Sequence, residues 1–254
     1  MSGTALYVTG IHESLAALLP MHAPESGTRA FRGLAASGKT YWIKVPFQDQ
    51  GPRILATEQI VTALGHLIEA PVRDTALMDI SDDWSGQLSG SGLTLRACVA
   101  HASLELNDAE ERRDQTYLRD DDNARRWPKW AALWDWCFGS DEQWLYEHGD
   151  ANRSMWSFDH NMWIHDARNW DADSCLRSHD VPWRWRGSWD QFDKSAILDT
   201  ADRLEAVTRA DLVGACYALP LEWGVPKPDI DALIDMLDYR RAGVSARLRL
   251  NSTS

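Results

Sequence analysis

The chain has 254 residues, enough to bury a substantial core as one large domain or as two small lobes sharing a cleft. With 44% hydrophobic residues and a formal net charge of −12 at pH 7 it reads as an acidic globular protein, which excludes a phosphate backbone as the expected partner. No stretch of 18 apolar residues spans a bilayer, so no membrane partner is expected. Cys98, Cys137, Cys175 and Cys216 lack the CxxC spacing of a zinc ribbon or the density of a disulfide framework. Met1–Gly10 has no basic segment followed by a long apolar run, and the expected location is the cytoplasm with thiols reduced.

The first third alternates in the manner of strands: Leu6–Thr9, Arg29–Leu34 and Thr40–Val45, the last two joined by a turn with Ser37-Gly38 at its tip. After Gly51-Pro52, Ile54–Ile68 repeats its apolar residues at helical spacing up to Ala70-Pro71. Ala76–Ile80 and Leu93–Leu104 are apolar runs on either side of the Ser/Gly-rich Ser85–Gly92, and read as two more strands. The acidic run Asp120–Asp122 reads as a solvated loop or the N-terminal charge of a helix. Beyond it the pattern is helical: Ala124–Phe138, a short segment Glu142–Tyr146, Lys194–Thr208, Arg209–Ala218 and Asp229–Leu248. The whole is an α+β chain, β-rich with one helix first and mostly helical afterwards, with a boundary between residues 105 and 123.

The 14 tryptophans crowd between Trp127 and Trp189, as core or as a ligand platform. Asp141 and Asp159 lie 18 positions apart among Phe138, Trp144, Trp156 and Phe158. Carboxylates are costly to desolvate unless a metal, a base role or hydrogen bonds hold them, so the pair suggests a site or, alternatively, a tryptophan core whose acids reach water. A strand lysine, Lys44, precedes a helix glutamate, Glu58, by 14 positions, and strand and helix can bring the two together. Such an ion pair fixes a lysine as a point charge for nucleotide phosphates. His160, His165, Cys175 and His179 match no common zinc module, and no GxSxG elbow is present. Arg184 and Arg186 in WRWRGSW (183–189) interleave with tryptophans, as a packed loop with outward arginines or as a stacking surface.

Lysine strand, glutamate helix, further strands and a helical part with two separated aspartates is the order of parts in a protein-kinase-like fold. The passages FRGLAASGKTYWIKVPFQDQGPRILATEQIVTALGHLIEAPV (31–72), DDDNARRWPKWAALWDWCFGSDEQWLY (120–146) and SFDHNMW (157–163) resemble the HipA-like kinases, a distant branch of the kinase superfamily. The resemblance implies a bilobal fold, with a nucleotide-clamping lobe over 1–104 and a helical lobe over 105–254. It implies ATP and Mg²⁺ as cofactors and a protein or peptide bearing Ser or Thr as acceptor. Lys44 matches the ATP-binding lysine, Glu58 its partner, Asp141 the catalytic-loop aspartate and Asp159 the magnesium-binding aspartate. Asp150 is a rival to Asp141.

The chain departs from ordinary kinases where an asparagine follows the catalytic aspartate by five residues, since that position is Tyr146. Gln143, a further catalytic-loop candidate, or Asn152 would then supply the second metal ligand. There is no GxGxxG loop, so phosphate contacts would come from backbone amides around Arg32–Lys39 or from Arg29, Arg32 and Lys39. Three readings follow: an ATP-dependent Ser/Thr kinase; a pseudokinase or peptide-binding module that has lost its chemistry; and a kinase-fold enzyme that phosphorylates a small molecule or transfers a nucleotidyl group. The acidic composition points to a basic substrate.

Overall fold

The computed structural model describes residues 11–20, 28–148, 153–165 and 169–253. The expected strand Leu6–Thr9 lies outside them. Five strands close into a barrel in the order β1-β2-β3-β5-β4: β1 (Ile11–Leu18), β2 (Phe31–Ala35), β3 (Thr40–Lys44), β4 (Thr75–Ile80) and β5 (Cys98–Leu104). Parallel pairing of β1 with β4, Ile11 opposite Ala76, completes the ring and leaves no open edge. Period-two alternation points Phe31, Ile43, Met78, Ala100 and Ala102 inward as the barrel core. A Cβ at Gly33 would stand 2.5 Å from Ile43 Cδ1 and 2.7 Å from Leu15 Cδ1, so any larger residue there makes those two side-chain ends shift. Gly38, at φ +85°, turns the β2–β3 hairpin where the sequence places it.

Helix α1 (Arg53–Leu67) is buried on nearly every side, as a helix between two layers must be. Its apolar residues join a second core with α2 (Asn123–Trp136), α4 (Lys194–Ala206), α5 (Arg209–Tyr217) and the 26-residue α6 (Lys227–Ser252). The tryptophans are the heart of this core. Trp127 meets Trp144 edge-on at 4.5 Å between ring centroids and stacks with Trp185 at 5.9 Å, while Trp130 touches Trp134 at 5.1 Å. Each such pair adds about 0.5–1.5 kcal/mol beyond its buried area. Several indole N–H groups find backbone acceptors, as in Trp136 Nε1 to the Leu237 carbonyl at 2.8 Å.

Several elements differ from the sequence reading. Glu142–Tyr146, read as a helix, contains the start of strand β7 (Trp144–Glu147), the centre of an antiparallel sheet between β6 (Ala109–Arg112) and β8 (Met155–Ser157). Trp144 and Tyr146 are buried and Leu145 and Glu147 half-buried, a strand alternation that a four-residue element with an apolar outer residue conceals. Strand β1 carries no clear local pattern, with half of its residues exposed and Leu15 alone buried. Helix α3 (Ala172–Ser178) was also unread; Asp171 caps it through the Ser174 amide, and Ser174 Oγ returns a bond to cap it reciprocally. The acidic run Asp120–Asp122 forms a turn and the N-cap of α2, with Asp121 paired to Arg126 at 2.9 Å. Among the described residues no helix is long and apolar enough to cross a membrane.

Candidate functional site

Lys44 ends β3 out of phase with Ile43, so its side chain leaves the barrel on the side of α1. There Nζ donates to Glu58 Oε2 at 2.7 Å and to Asp159 Oδ1 at 2.6 Å. The two carboxylates differ in access: the Glu58 side chain is 3% exposed and that of Asp159 is 36% exposed. Burial alone would lower the Lys44 pKa, but Asp159 and Glu58 together raise it above its ordinary value, so the ammonium stays charged. Burial raises the Glu58 carboxyl, against the opposing pull of Lys44. Burial works the same way on Asp159, but Lys44 and a hydrogen bond from Gln143 outweigh it and hold that carboxyl below the usual range.

Asp159 adopts φ 55°, ψ 54°, left-handed backbone that aspartate tolerates better than most residues, just before the 3₁₀ turn His160–Met162. The turn is fixed from both sides. His160 Nε2 shares a 2.7 Å hydrogen bond with Ser157 Oγ, and Nδ1 lies 3.5 Å from Thr62 Oγ1 on α1. Burial drives the His160 pKa down to about 3, so the ring is neutral. His160 is thus held between Ser157 and Thr62.

The loop holding Asp141 is fastened to this turn, since Ser140 Oγ donates to the Met162 carbonyl at 2.9 Å. Gly139 lies against the face of Trp134, where a Cβ would meet Cδ2 at 2.2 Å. Asp141 itself, at φ 56°, is exposed. Gln143 follows, hydrogen-bonded to Asp159. Tyr146 is wholly buried and its hydroxyl donates to the Asp114 carbonyl at 3.3 Å, which commits it to the core. Lys44, Glu58, Asp159 and Gln143 therefore come together, with Asp141 on the adjoining loop.

The remaining candidates lie apart from this cluster. Arg32 makes a bidentate pair with Glu105 at 2.7 and 2.8 Å, and Arg29 donates to the Gly92 carbonyl at 2.9 Å. Lys39 is exposed on the β2–β3 hairpin. Asn152 and Asp150 lie outside the described residues. His179 stacks on Tyr239 at 5.1 Å and Cys175 is buried in α3; among the described residues no three His, Cys, Asp or Glu side chains converge as a metal cage.

One neighbour of the cluster went unread. His101 is fully buried on β5 in register opposite Lys44, 3.8 Å from Glu58 Oε1, and bonded to Gln59 at 3.1 Å and Ser103 at 3.0 Å. Burial, then the charge of Lys44, drives its pKa well below the ordinary histidine value, so a neutral imidazole backs the glutamate. A histidine inside CVAHASL is the sole sequence hint, and strand register, which decides its neighbour, is absent from the string.

No protein-family model matches this chain, and no curated protein does. Among solved structures it is similar to the crystal structure of CtkA, a proinflammatory kinase of Helicobacter pylori, with a TM-score of 0.60 and 10% sequence identity over 96% of this chain and 99% of that one. At that identity the likeness is one of fold, and the fold of this chain is a mixed α+β, kinase-like one.

Proposed function

We propose that the chain is an ATP- and Mg²⁺-dependent phosphotransferase of the HipA-like type, acting on a Ser or Thr hydroxyl of a protein or peptide. The observation that carries this reading is the Lys44 ammonium shared between the buried Glu58 and the half-open Asp159. Glu58 holds Lys44 in place and contributes nothing to solvent. Lys44 is then a preset positive charge for phosphate oxygens. Asp159 offers a hard, ionised oxygen with an accessible face, and Gln143, whose amide N–H donates to it, carries a neutral carbonyl oxygen on the same side chain. Mg²⁺ suits such a sparse set, because it keeps waters and binds through one or two carboxylates plus phosphate oxygens. Bound Mg-ATP would supply the transferable phosphoryl group and neutralise its charge. Asp141, exposed on the adjoining loop, would orient the acceptor hydroxyl and take its proton.

Phosphoryl transfer demands positioning and charge more than covalent chemistry, and every residue in this set is of that kind. The test is Asp159→Asn, which keeps shape and hydrogen bonding while deleting the charge. With radiolabelled ATP, transfer to the protein itself or to a Ser/Thr peptide pool should fall by at least about 100-fold, the scale of losing one charged group at the reacting phosphate. Undiminished transfer would overturn the assignment. Mg-ATP binding by the unaltered chain with no transfer to any acceptor would instead favour the binding-module reading, to which Tyr146 at the usual asparagine position lends support.

A further inference from the structure

The loop 183–189 carries two arginines that the proposed phosphotransfer does not use. Trp185 is buried and stacks on Trp127 and on Phe192, so the loop is packed from below, while Arg184 and Arg186 are exposed. Among the described residues neither forms an ion pair, although the chain carries 38 acidic residues against 26 Lys and Arg. Two cavities of about 600 Å³ each share Arg184, Arg186 and Arg247 in their walls. Of the two carboxylates that line them, Asp135 is already engaged with the Trp185 amide and with Arg247 at 3.4 Å, and Glu142 is exposed. Positive charge is therefore in excess in this groove, against the sign of the whole protein.

The groove adjoins the loop of Asp141. Glu142 forms part of its wall, Trp183 Nε1 donates to the Gly139 carbonyl at 3.0 Å, and Arg247 Nη2 donates to the Trp183 carbonyl at 3.4 Å. We propose that the Arg184–Arg186–Arg247 groove binds an acidic peptide segment, whose carboxylates flank the hydroxyl presented to Asp141. Guanidinium forks match carboxylates bidentately, and the tryptophan walls give an extended peptide apolar surface between charges. The expectation of a basic substrate, drawn from net charge, is reversed at this place because local charge decides docking. The acceptor role rests on the phosphotransferase reading; the binding does not.

The experiment is fluorescence anisotropy with labelled peptides of one length, a Ser in an Asp/Glu-rich sequence and a Ser in a Lys-rich one, without nucleotide. The acidic peptide should bind at least about tenfold more tightly, and raising salt from 0.05 to 0.5 M should weaken it strongly. The pair Arg184→Ala and Arg186→Ala, both on the surface and checked by circular dichroism, should abolish the preference. Equal binding of the two peptides, salt-insensitive binding, or an unchanged preference in the variant would overturn the proposal, as would tighter binding of a single-stranded oligonucleotide of equal charge. Acidic-peptide binding with no phosphoryl transfer once Mg-ATP is added would leave the groove standing and sink the kinase reading; transfer with no acidic preference would do the reverse.

Discussion

Lys44 and Asp159 are separated by 115 positions in the chain, yet Nζ of the one donates to Oδ1 of the other at 2.6 Å, with the same nitrogen bonded to Glu58. A barrel strand, a buried helix and the turn after β8 are thus joined at a single ammonium. The charge at each corner depends on the other two.

Removing that ammonium should unbalance the fold as well as the site. Lys44→Met leaves Glu58 buried without its cation, and breaking a buried pair from one side costs on the order of 3–5 kcal/mol. Urea denaturation should show that loss, and the double change Lys44→Met with Glu58→Leu should recover much of it. If the single variant matches the unaltered protein, the triad contributes no stability.

Arg32 offers the contrast. Its guanidinium is occupied by Glu105 and by the Pro20 carbonyl, so Arg32→Ala should leave Mg-ATP affinity unchanged in a calorimetric titration, while Lys44→Met reduces it beyond detection. Because this pair is partly exposed, the stability change should stay within about 1 kcal/mol. A large affinity loss on Arg32→Ala would bring Arg32 back into the nucleotide site.

Gly139 probes the loop of Asp141. A methyl group at this position would press into the Trp134 ring, which is too rigid and too well packed to yield, so the loop must move. Gly139→Ala should cost about 1–3 kcal/mol by overpacking and depress phosphoryl transfer, whereas Gly139→Ala with Trp134→Leu restores both. Thermal melts and turnover read the two effects separately.

Asp135 sets a pH dependence. Burial raises its carboxyl from 3.8 to about 6, against the Trp185 amide, Arg247 and Arg240. A folded-state pKa above the unfolded one means that the folded protein holds the proton more tightly, so the stability contribution is complete below pH 4 and is lost as pH rises through 6. The shift corresponds to about 3 kcal/mol. Urea midpoints at pH 4 and pH 7 should show Asp135→Asn gaining on the unaltered protein by that order as pH rises; a pH-independent difference would remove the effect.

Much of the frame is legible in the string of residues. The hairpin around Gly38, the helix after Pro52 and the four main helices beyond Asn123 follow from periodicity and punctuation, which are local properties. So does the candidacy of Lys44, Glu58 and Asp159, since each is a charged residue set in an apolar run. Elements with only weak local patterns give no such signal: the half-exposed strand β1, the short β6, β7 and β8, and the seven-residue α3. Register and closure belonged to the tertiary structure alone. They put His101 opposite Lys44, consumed Arg32 in a pair with Glu105, and left Asp159 rather than Glu58 with a face to solvent, because which groups share a low-dielectric pocket depends on contacts between segments 14 to 115 positions apart. They also turned WRWRGSW into a loop whose Trp185 is sunk in the core, whose Trp183 and Trp189 are half-buried against it, and whose guanidiniums are left in a groove. Composition describes the charge of the whole chain; only packing decides where that charge is locally reversed.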